Sequence, residues 1–227
     1  MKINLFRPFP RLFRARSRLG LVVALATTGV GAESATLTSR TALEEARAAL
    51  TSLSARNRAA PSVSLHFSSR VMGADGAWTA PAQGDLVTAD SGRFRLKYAQ
   101  GVVVSDGKTL WQHFPATGQV VIRTAASAGS GGAGGVLLRF LQARAVAAAR
   151  VQGALRIVLD PARVGENLDS LVLTLSPDAG TVRKVETQDP AGNRAEYTVS
   201  SLRHDARPRR GAFTFRIPDD VEVVDMR

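Results

Sequence analysis

The chain has 227 residues, no cysteine and a formal net charge of +11. Without cysteine, the sequence excludes disulfides, thiolate metal sites and lipid attachment at an N-terminal cysteine, so an apolar core must stabilise the fold. Six of the 30 basic residues and none of the acidic ones lie in residues 1–32, which leaves 24 basic and 19 acidic residues in 33–227. This mild excess, without a Lys/Arg stripe interleaved with aromatic residues, argues against nucleic-acid binding.

Residues 1–32 have the pattern of a secretory signal peptide. A basic stretch that ends at Arg18 precedes an apolar run, residues 19–29, and small residues follow up to Ala32. The apolar run is shorter than the roughly 20 residues that span a bilayer. We predict cleavage after Ala32 and export of residues 33–227 as a single domain. An N-terminal anchor that stays uncleaved is the alternative.

An amphipathic helix is predicted near the start of this domain. Thr41 and Glu44 match a capping box, in which two side chains satisfy N–H groups at the helix start. Apolar residues follow at spacings of three and four, from Leu43 to Leu53. The helix should run to about Arg58, with this apolar stripe against an apolar partner.

From residue 62 onward the apolar period changes to two, which is typical of strands with one buried face. Gly, Pro and Asp-Gly pairs interrupt the pattern and predict tight turns at residues 74–76, 105–108, 176–180 and 189–193. The predicted strands cover residues 63–67, 84–90, 93–98, 102–104, 109–114, 119–123, 155–159, 171–175, 182–188, 195–199 and 213–217. Together they indicate a meander of antiparallel strands.

A Gly-rich run at residues 125–135 predicts a flexible connector. Residues 136–141 and the Ala-rich run to Arg150 predict one or two short helices that follow it. One long helix, an antiparallel sheet and a helical insertion indicate an α+β fold in which helices cover one face of the sheet.

The sequence contains no motif that points to catalysis. His66, His113 and His204 lack a second ligand or nucleophile at a motif spacing, and the Gly-rich run lacks the Lys-Ser/Thr of a phosphate-binding loop. We therefore predict no enzyme activity, no metal site and no cofactor. A basic cluster between Arg203 and Arg210 has two interpretations: a solvated loop, or a docking site for anionic headgroups or an acidic partner.

The segment VSDGKTLW, residues 104–111, is similar to the central hairpin of the LolA family of periplasmic outer-membrane lipoprotein carriers. Further segments fit that family in order: residues 84–86, 94–96, 189–193 and 213–221, the last running into the C-terminal Val224-Asp225. The likeness covers about residues 40–227, and the segment at 104–111 is its most specific part.

This resemblance implies a half-open antiparallel β-barrel with an N-terminal amphipathic helix and a helical lid over its concave face. It implies a monomeric periplasmic carrier, without a cofactor, whose apolar cavity holds the acyl chains of lipoproteins or of a related lipid. Such a carrier receives its cargo from an inner-membrane exporter and passes it to an outer-membrane acceptor. An envelope lipid-sensing regulatory protein with the same half-barrel is the alternative.

The acyl-chain site is expected among apolar residues of the helix, the strands and the insertion. We predict lipid contact at Leu50, Phe67, Leu86, Phe94, Leu96, Trp111, Phe114, Leu138 and Leu141. Ordinary core packing is the alternative for each of them. For Trp111 and Phe114 the sequence leaves open which face of their strand lies inward.

One position departs from the family pattern. Members of the family carry Arg-Pro six residues past the Gly of the Gly-Asp pair, and that arginine is associated with one-way transfer of cargo. Asp90-Ser91 occupy these positions here. Either Arg93 or Arg95 is a possible substitute, and a cavity built chiefly of Leu and Val would suit another lipid, as in a LolA-like paralogue.

Overall fold

The computed structural model describes residues 40–73, 76–125, 140, 143–164, 168–204 and 207–227. All of them belong to one structural unit, Ala35–Arg227. The predicted signal peptide, nearly all of the Gly-rich connector and most of the predicted lid, including Leu138 and Leu141, lie outside the described residues.

The predicted amphipathic helix is confirmed as α1, Arg40–Ala59. Its buried residues recur at spacings of three and four: Ala42, Ala46, Leu50 and Leu53. Thr41 lies inside the helix and not at its N-cap, so the predicted capping box is wrong. The exposed side of α1 carries Arg47 and Arg58.

Twelve strands form one sheet with the order β12-β6-β5-β4-β3-β2-β1-β11-β10-β9-β8-β7. They are β1 (Ser62–Met72), β2 (Ala82–Ala89), β3 (Arg93–Tyr98), β4 (Gly101–Asp106), β5 (Thr109–Phe114), β6 (Gln119–Thr124), β7 (Ala145–Val151), β8 (Ala154–Leu159), β9 (Ser170–Leu175), β10 (Val182–Gln188), β11 (Arg194–His204) and β12 (Glu222–Asp225). Neighbouring strands are antiparallel, except that β12 runs parallel to β6. Within the described residues β12 and β7 are the edges, so the sheet is open.

One face of the sheet, here called the inner face, carries the core. Leu65, Leu86, Leu96 and Val103 form a row across β1 to β4 in the strand register, and all four are buried. The same cluster continues on β8 to β10 with Leu155, Ile157, Leu159, Leu171, Leu173, Leu175 and Val185. Because side chains alternate between the two faces of a strand, the period of two in the sequence produces this apolar face. The opposite face is called the outer face.

Helix α1 lies across the inner face from β7 to β11. Near its start, Glu45 forms an ion pair with Arg150 of β7, and α1 packs against β7 and β8. Near its end, Arg56 donates a 2.5 Å hydrogen bond to a carbonyl oxygen of the β9–β10 turn. Asn57 Oδ1 lies 2.5 Å from Nε2 of His204, at the end of β11. These contacts place the helix over the half of the sheet formed by β7 to β11.

The Ala-rich run that was predicted to be helical is strand β7, so this prediction is wrong. Alanine favours a helix in isolation. Here the segment pairs with β8, and Ala145 and Ala148 are buried in the cluster that α1 joins. Their small side chains leave room for α1 at the sheet surface, and this packing overrides the local propensity of the run.

The predicted last strand, residues 213–217, is also wrong, because this segment lies outside the sheet. It packs on the outer face instead. The rings of Phe215 and Trp111 are stacked with centroids 6.4 Å apart, and the guanidinium of Arg93 lies 5.5 Å from the centre of the Phe213 ring. The chain then joins the sheet edge as β12, so that the C-terminal strand is four residues long.

The turn predicted at residues 105–108 is confirmed and joins β4 to β5 through Gly107 and Lys108. The Asp106 carboxylate accepts hydrogen bonds from the backbone N–H of Thr109 at 2.7 Å and of Lys108 at 2.8 Å. The bond from Thr109 has the largest effect on the pKa of Asp106, which lies below its ordinary value although desolvation acts in the opposite direction. The motif that carries the family resemblance is therefore a structural turn.

Candidate functional site

The inner face extends beyond the strands that α1 covers. On β3, Phe94 and Tyr98 flank the buried Leu96 and are half-buried against the core. Phe114 of β5 lies on the same face, since it alternates with Trp111 and His113, and it is also half-buried. The apolar side chains of this part of the inner face are here called the inner-face patch, in which the polar Gln112 separates Leu110 from Phe114: Leu86, Phe94, Leu96, Tyr98, Leu110 and Phe114.

Six of the nine predicted lipid-contact residues lie on the inner face or on the side of α1 that packs against it: Leu50, Phe67, Leu86, Phe94, Leu96 and Phe114. Leu50, Phe67, Leu86 and Leu96 are buried in the core, whereas Phe94 and Phe114 are partly open to solvent. The strand register places Trp111 on the outer face, against Phe215. The candidate site is therefore the half-buried margin of the inner face.

Phe67 fills the space above a glycine in the neighbouring strand. Gly84 is its cross-strand partner, and a Cβ atom at Gly84 would lie 2.3 Å from the Phe67 ring. On the other side, Tyr197 packs edge-on with ring centroids 6.0 Å apart. Glycine at this position lets a large aromatic ring lie flat on the sheet, so Phe67 is a core residue.

A basic residue that sequence reasoning missed borders the inner-face patch. Arg123 of β6 is the cross-strand partner of Leu110, and its Nε is buried with no hydrogen-bond partner among the described residues. Buried polar atoms in folded proteins nearly always have a partner. Arg123 as a whole is half-buried, so its guanidinium adds a positive charge at this border of the inner-face patch. The sequence feature that could have revealed Arg123 is its position in the strand, because the alternation of side chains between the two faces puts this arginine on the inner face.

The outer face of the central strands carries a row of paired charges. Arg70 of β1 donates from Nε and Nη2 to the Glu196 carboxylate of β11, at 3.0 and 3.1 Å. Lys184 Nζ lies 2.7 Å from the same carboxylate. Arg156 of β8 pairs with Glu186 at 2.8 Å. Because Glu186 and Glu196 are directly opposite in the register, these cations offset the repulsion between two neighbouring carboxylates.

Two small cavities lie beside this row of charges. One, of about 180 Å³, is lined by Trp78, Arg156, Glu186 and Arg194, among others. The other, of about 300 Å³, is lined by Ser68, Arg70, Pro81 and Glu196 with their neighbours. Their walls are largely polar, so neither cavity has the apolar lining that an acyl chain requires.

The Glu196 carboxylate is a source of pH-dependent stability. Burial raises its pKa, but the hydrogen bonds and positive charges of Arg70 and Lys184 outweigh burial, and the net pKa lies below the ordinary value. A carboxylate with a lowered folded-state pKa contributes stability above its unfolded pKa, about 4.3 for Glu. This contribution is lost as the pH falls through the folded-state pKa.

We expect Glu196→Gln to lower the free energy of unfolding by about 1 kcal/mol at pH 7. The side chain is only 12% exposed, so solvent screens the pair weakly. Urea unfolding at pH 7 and below pH 4 measures the effect, and the difference between variant and wild type should shrink at the lower pH. A difference that stays constant over this range would contradict the assignment.

His66 and His113 each contact a side chain from a neighbouring part of the fold. His66 pairs with Asp85 across β1 and β2 on the exposed outer face. His113 lies beside Phe215, with ring centroids 6.0 Å apart. Within the described ranges, no group of three or more His, Asp or Glu side chains has the arrangement to hold a metal ion. None of the helices in this part of the chain is long and apolar enough to cross a membrane.

The turn between β2 and β3 contains the position that departs from the family pattern. Asp90 pairs with Arg93 within this turn, and Ser91 has a φ of 57°. Proline holds φ near −65°, so the backbone at Ser91 is incompatible with proline. Arg93 forms an ion pair with Asp90 and contacts the Phe213 ring. The alternation of side chains along β3 places Arg95 on the outer face, opposite to the inner-face patch.

The fold and the inner-face patch define an open-sheet protein with one apolar face, which a helix covers over part of the strands. The family model described as outer membrane lipoprotein carrier protein LolA matches residues 58–216. The chain therefore belongs to the LolA family. This result confirms the resemblance that the hairpin motif indicated, whereas lid helices are not seen in the described residues.

Several solved structures are similar to this chain at low sequence identity. An uncharacterized conserved protein from Thermus thermophilus is 14% identical, with a TM-score of 0.50, over 80% of this chain and 99% of that one. A putative outer membrane lipoprotein-sorting protein domain from Vibrio parahaemolyticus is 13% identical, with a TM-score of 0.43, over 76% and 97%. A LolA superfamily protein from Nitrosomonas europaea is 12% identical, with a TM-score of 0.40, over 79% and 99%. No curated protein sequence matches the chain.

Proposed function

We propose that the chain is a periplasmic carrier, without enzyme activity, that binds the acyl chains of lipoproteins or of a related lipid on the inner-face patch. The observation that carries this proposal is the extent of the apolar inner face. It continues from the strands under α1 to β3 and β5, where Phe94 and Tyr98 of β3 and Phe114 of β5 remain half-buried. Membership of the LolA family supports the same class of ligand.

The energy of lipid transfer explains why a carrier needs such a surface. Exposing a methylene group to water costs about 0.8 kcal/mol, so an acyl chain of 16 carbons carries a penalty on the order of 10 kcal/mol. Aromatic side chains supply much of the surface that offsets this penalty, because each has a large apolar area. Half-buried residues suit reversible binding, since they contact a ligand without unfolding the core.

The proposed cargo route connects two membranes. In this route the carrier accepts lipid from an inner-membrane exporter and delivers it to an outer-membrane acceptor. The family description, an outer membrane lipoprotein carrier, supports the class of carrier. In this proposal the half-buried guanidinium of Arg123 contacts the polar group of the cargo, because Arg123 is the cross-strand partner of Leu110 at the border of the patch. The acyl chain then lies over Leu96 between Phe94 and Tyr98.

We expect Phe94→Asn to weaken binding of a fluorescent fatty acid by about tenfold or more, because it replaces an apolar contact by a polar group. Fluorescence titration of the purified full chain measures the dissociation constant. Mass spectrometry of the wild-type protein should detect acyl lipid that co-purifies.

Val158→Asn is the matched control, since Val158 is an exposed apolar residue on the outer face of β8. It should leave the dissociation constant within about twofold, and thermal unfolding of both variants checks that they are folded. The proposal fails if the wild type takes up no fatty acid, or if both variants lose affinity equally. A stable complex with a membrane-bound signalling protein, without lipid uptake, would favour the regulatory alternative.

A further inference from the structure

Most of the net positive charge of residues 33–227 is concentrated in one segment. Residues 33–227 have a net charge of +5, and residues 200–217 alone contain five arginines and one aspartate, a net +4. The proposed acyl-chain site does not use these arginines. Their concentration needs a separate explanation.

The structure places most of this charge at one end of the sheet, since Arg207, Arg209 and Arg210 lie between the end of β11 and Phe213, whose ring contacts Arg93 at the start of β3. Arg203 lies near the end of β11, opposite Ser64 at the start of β1. Arg58 is next to Asn57, which contacts His204, so the end of α1 reaches the same place. We call this set the basic rim: Arg58, Arg203, Arg207, Arg209 and Arg210.

The basic rim differs from the row of paired charges on the outer face. All five of its arginines are exposed, and none has a carboxylate partner among the described residues. At the opposite end of the sheet, Glu222 is the register partner of Gln119, and Asp219 and Asp220 precede it in the chain.

The rim also lies at the end of the sheet where the inner-face patch begins. Phe94 is near the start of β3 and pairs with Thr88, one register position from the end of β2. Arg123 pairs with Leu110, near the same end of β5 and β6. A surface that contacts the basic rim would therefore also face this end of the patch.

We propose that the basic rim docks the protein on the anionic headgroups of a phospholipid bilayer, with this end of the inner-face patch toward the membrane. The inference rests on the proposed function, since it gives the orientation in which cargo enters. A bilayer fits the rim better than a protein pocket does, because the charges are spread over α1, β11 and the following segment. Such diffuse basic surfaces bind anionic membranes through summed electrostatic attraction, which salt screens.

The test compares binding of the full chain to vesicles of phosphatidylglycerol and phosphatidylcholine in equal parts with binding to phosphatidylcholine alone. The rim variant combines Arg207→Ser, Arg209→Ser and Arg210→Ser. The control combines Arg40→Ser, Arg47→Ser and Arg194→Ser, which removes the same charge from exposed residues of α1 and from the opposite end of the sheet. Co-sedimentation at low and high salt measures the partition coefficient between vesicles and water. Both variants retain the basic residues between Lys2 and Arg18, as the wild type does.

We expect the rim variant to bind the anionic vesicles about tenfold more weakly or worse, and the control to stay within about threefold of the wild type. High salt should abolish the difference. Equal losses in both variants, equal binding to phosphatidylcholine alone, or binding of polyglutamate without binding of vesicles would each overturn the inference. Fatty-acid uptake should be unchanged in the rim variant, so that failure of docking and failure of lipid binding give different results.

Discussion

Gly107→Ala is expected to lower the free energy of unfolding by about 3 kcal/mol or more. Gly107 has a φ of 95°, a region that residues with a Cβ atom rarely occupy. A Cβ atom there would lie 2.4 Å from the carbonyl oxygen of Ser91, in the neighbouring turn. Since this obstacle is backbone, the β2–β3 and β4–β5 turns must separate to relieve it. Urea unfolding monitored by circular dichroism measures the loss.

Gly118→Ala separates the two causes of this effect. Gly118 also has a positive φ, 59°, but no atom lies within 4 Å of the position of its Cβ. Its substitution should cost only about 1 kcal/mol, because it introduces strain without a collision. Equal losses at the two positions would show that the close approach of the two turns is unimportant.

Phe67→Ala is expected to destabilise the protein by about 3–5 kcal/mol, which is the usual range for removing a buried aromatic ring. The ring is fully buried between Gly84 and Tyr197, so its removal leaves a cavity on the inner face. Thermal or urea unfolding measures the change. His66→Ala, at an exposed outer-face position, is the control and should change stability by less than about 0.5 kcal/mol.

Gly84→Ala tests the same contact from the other side. The added methyl group would collide with the Phe67 ring and should cost about 1–3 kcal/mol through overpacking. Combining it with Phe67→Leu should recover part of the loss, because the smaller side chain makes room for the methyl group. Additive losses in the double variant would contradict direct coupling between the two positions.

The sequence was informative where the local pattern and the tertiary environment agree. The period of two predicts most strands, because one face of this sheet is buried along nearly its whole width. The spacing of Leu50 and Leu53 predicts α1 for the corresponding reason. The motif at residues 104–111 identifies the family, and in the structure its Asp106 and Gly107 form the turn that the residue types require.

Predictions failed where long-range packing decides the structure. Ala145 and Ala148 lie in a strand because β8 pairs with them and α1 packs above, which no local propensity reveals. Phe213 and Phe215 alternate like strand residues, yet they cover the outer face. The face occupied by Trp111 depends on the register between β4 and β5, and this register is not encoded in the alternation alone.

The strand order has a consequence for how the chain folds. Each neighbour within β1 to β6, and within β7 to β11, is also the next strand along the chain, so these two groups consist of local hairpins. A single pairing, β1 with β11, joins them, and Arg70 and Glu196 in this seam are 126 residues apart in sequence. The loop-closure entropy of assembly is therefore concentrated at this seam and at the parallel pairing of β12 with β6. The long pairing of β1 with β11, and the ion pair between Arg70 and Glu196 across it, hold the two groups of hairpins together as one sheet.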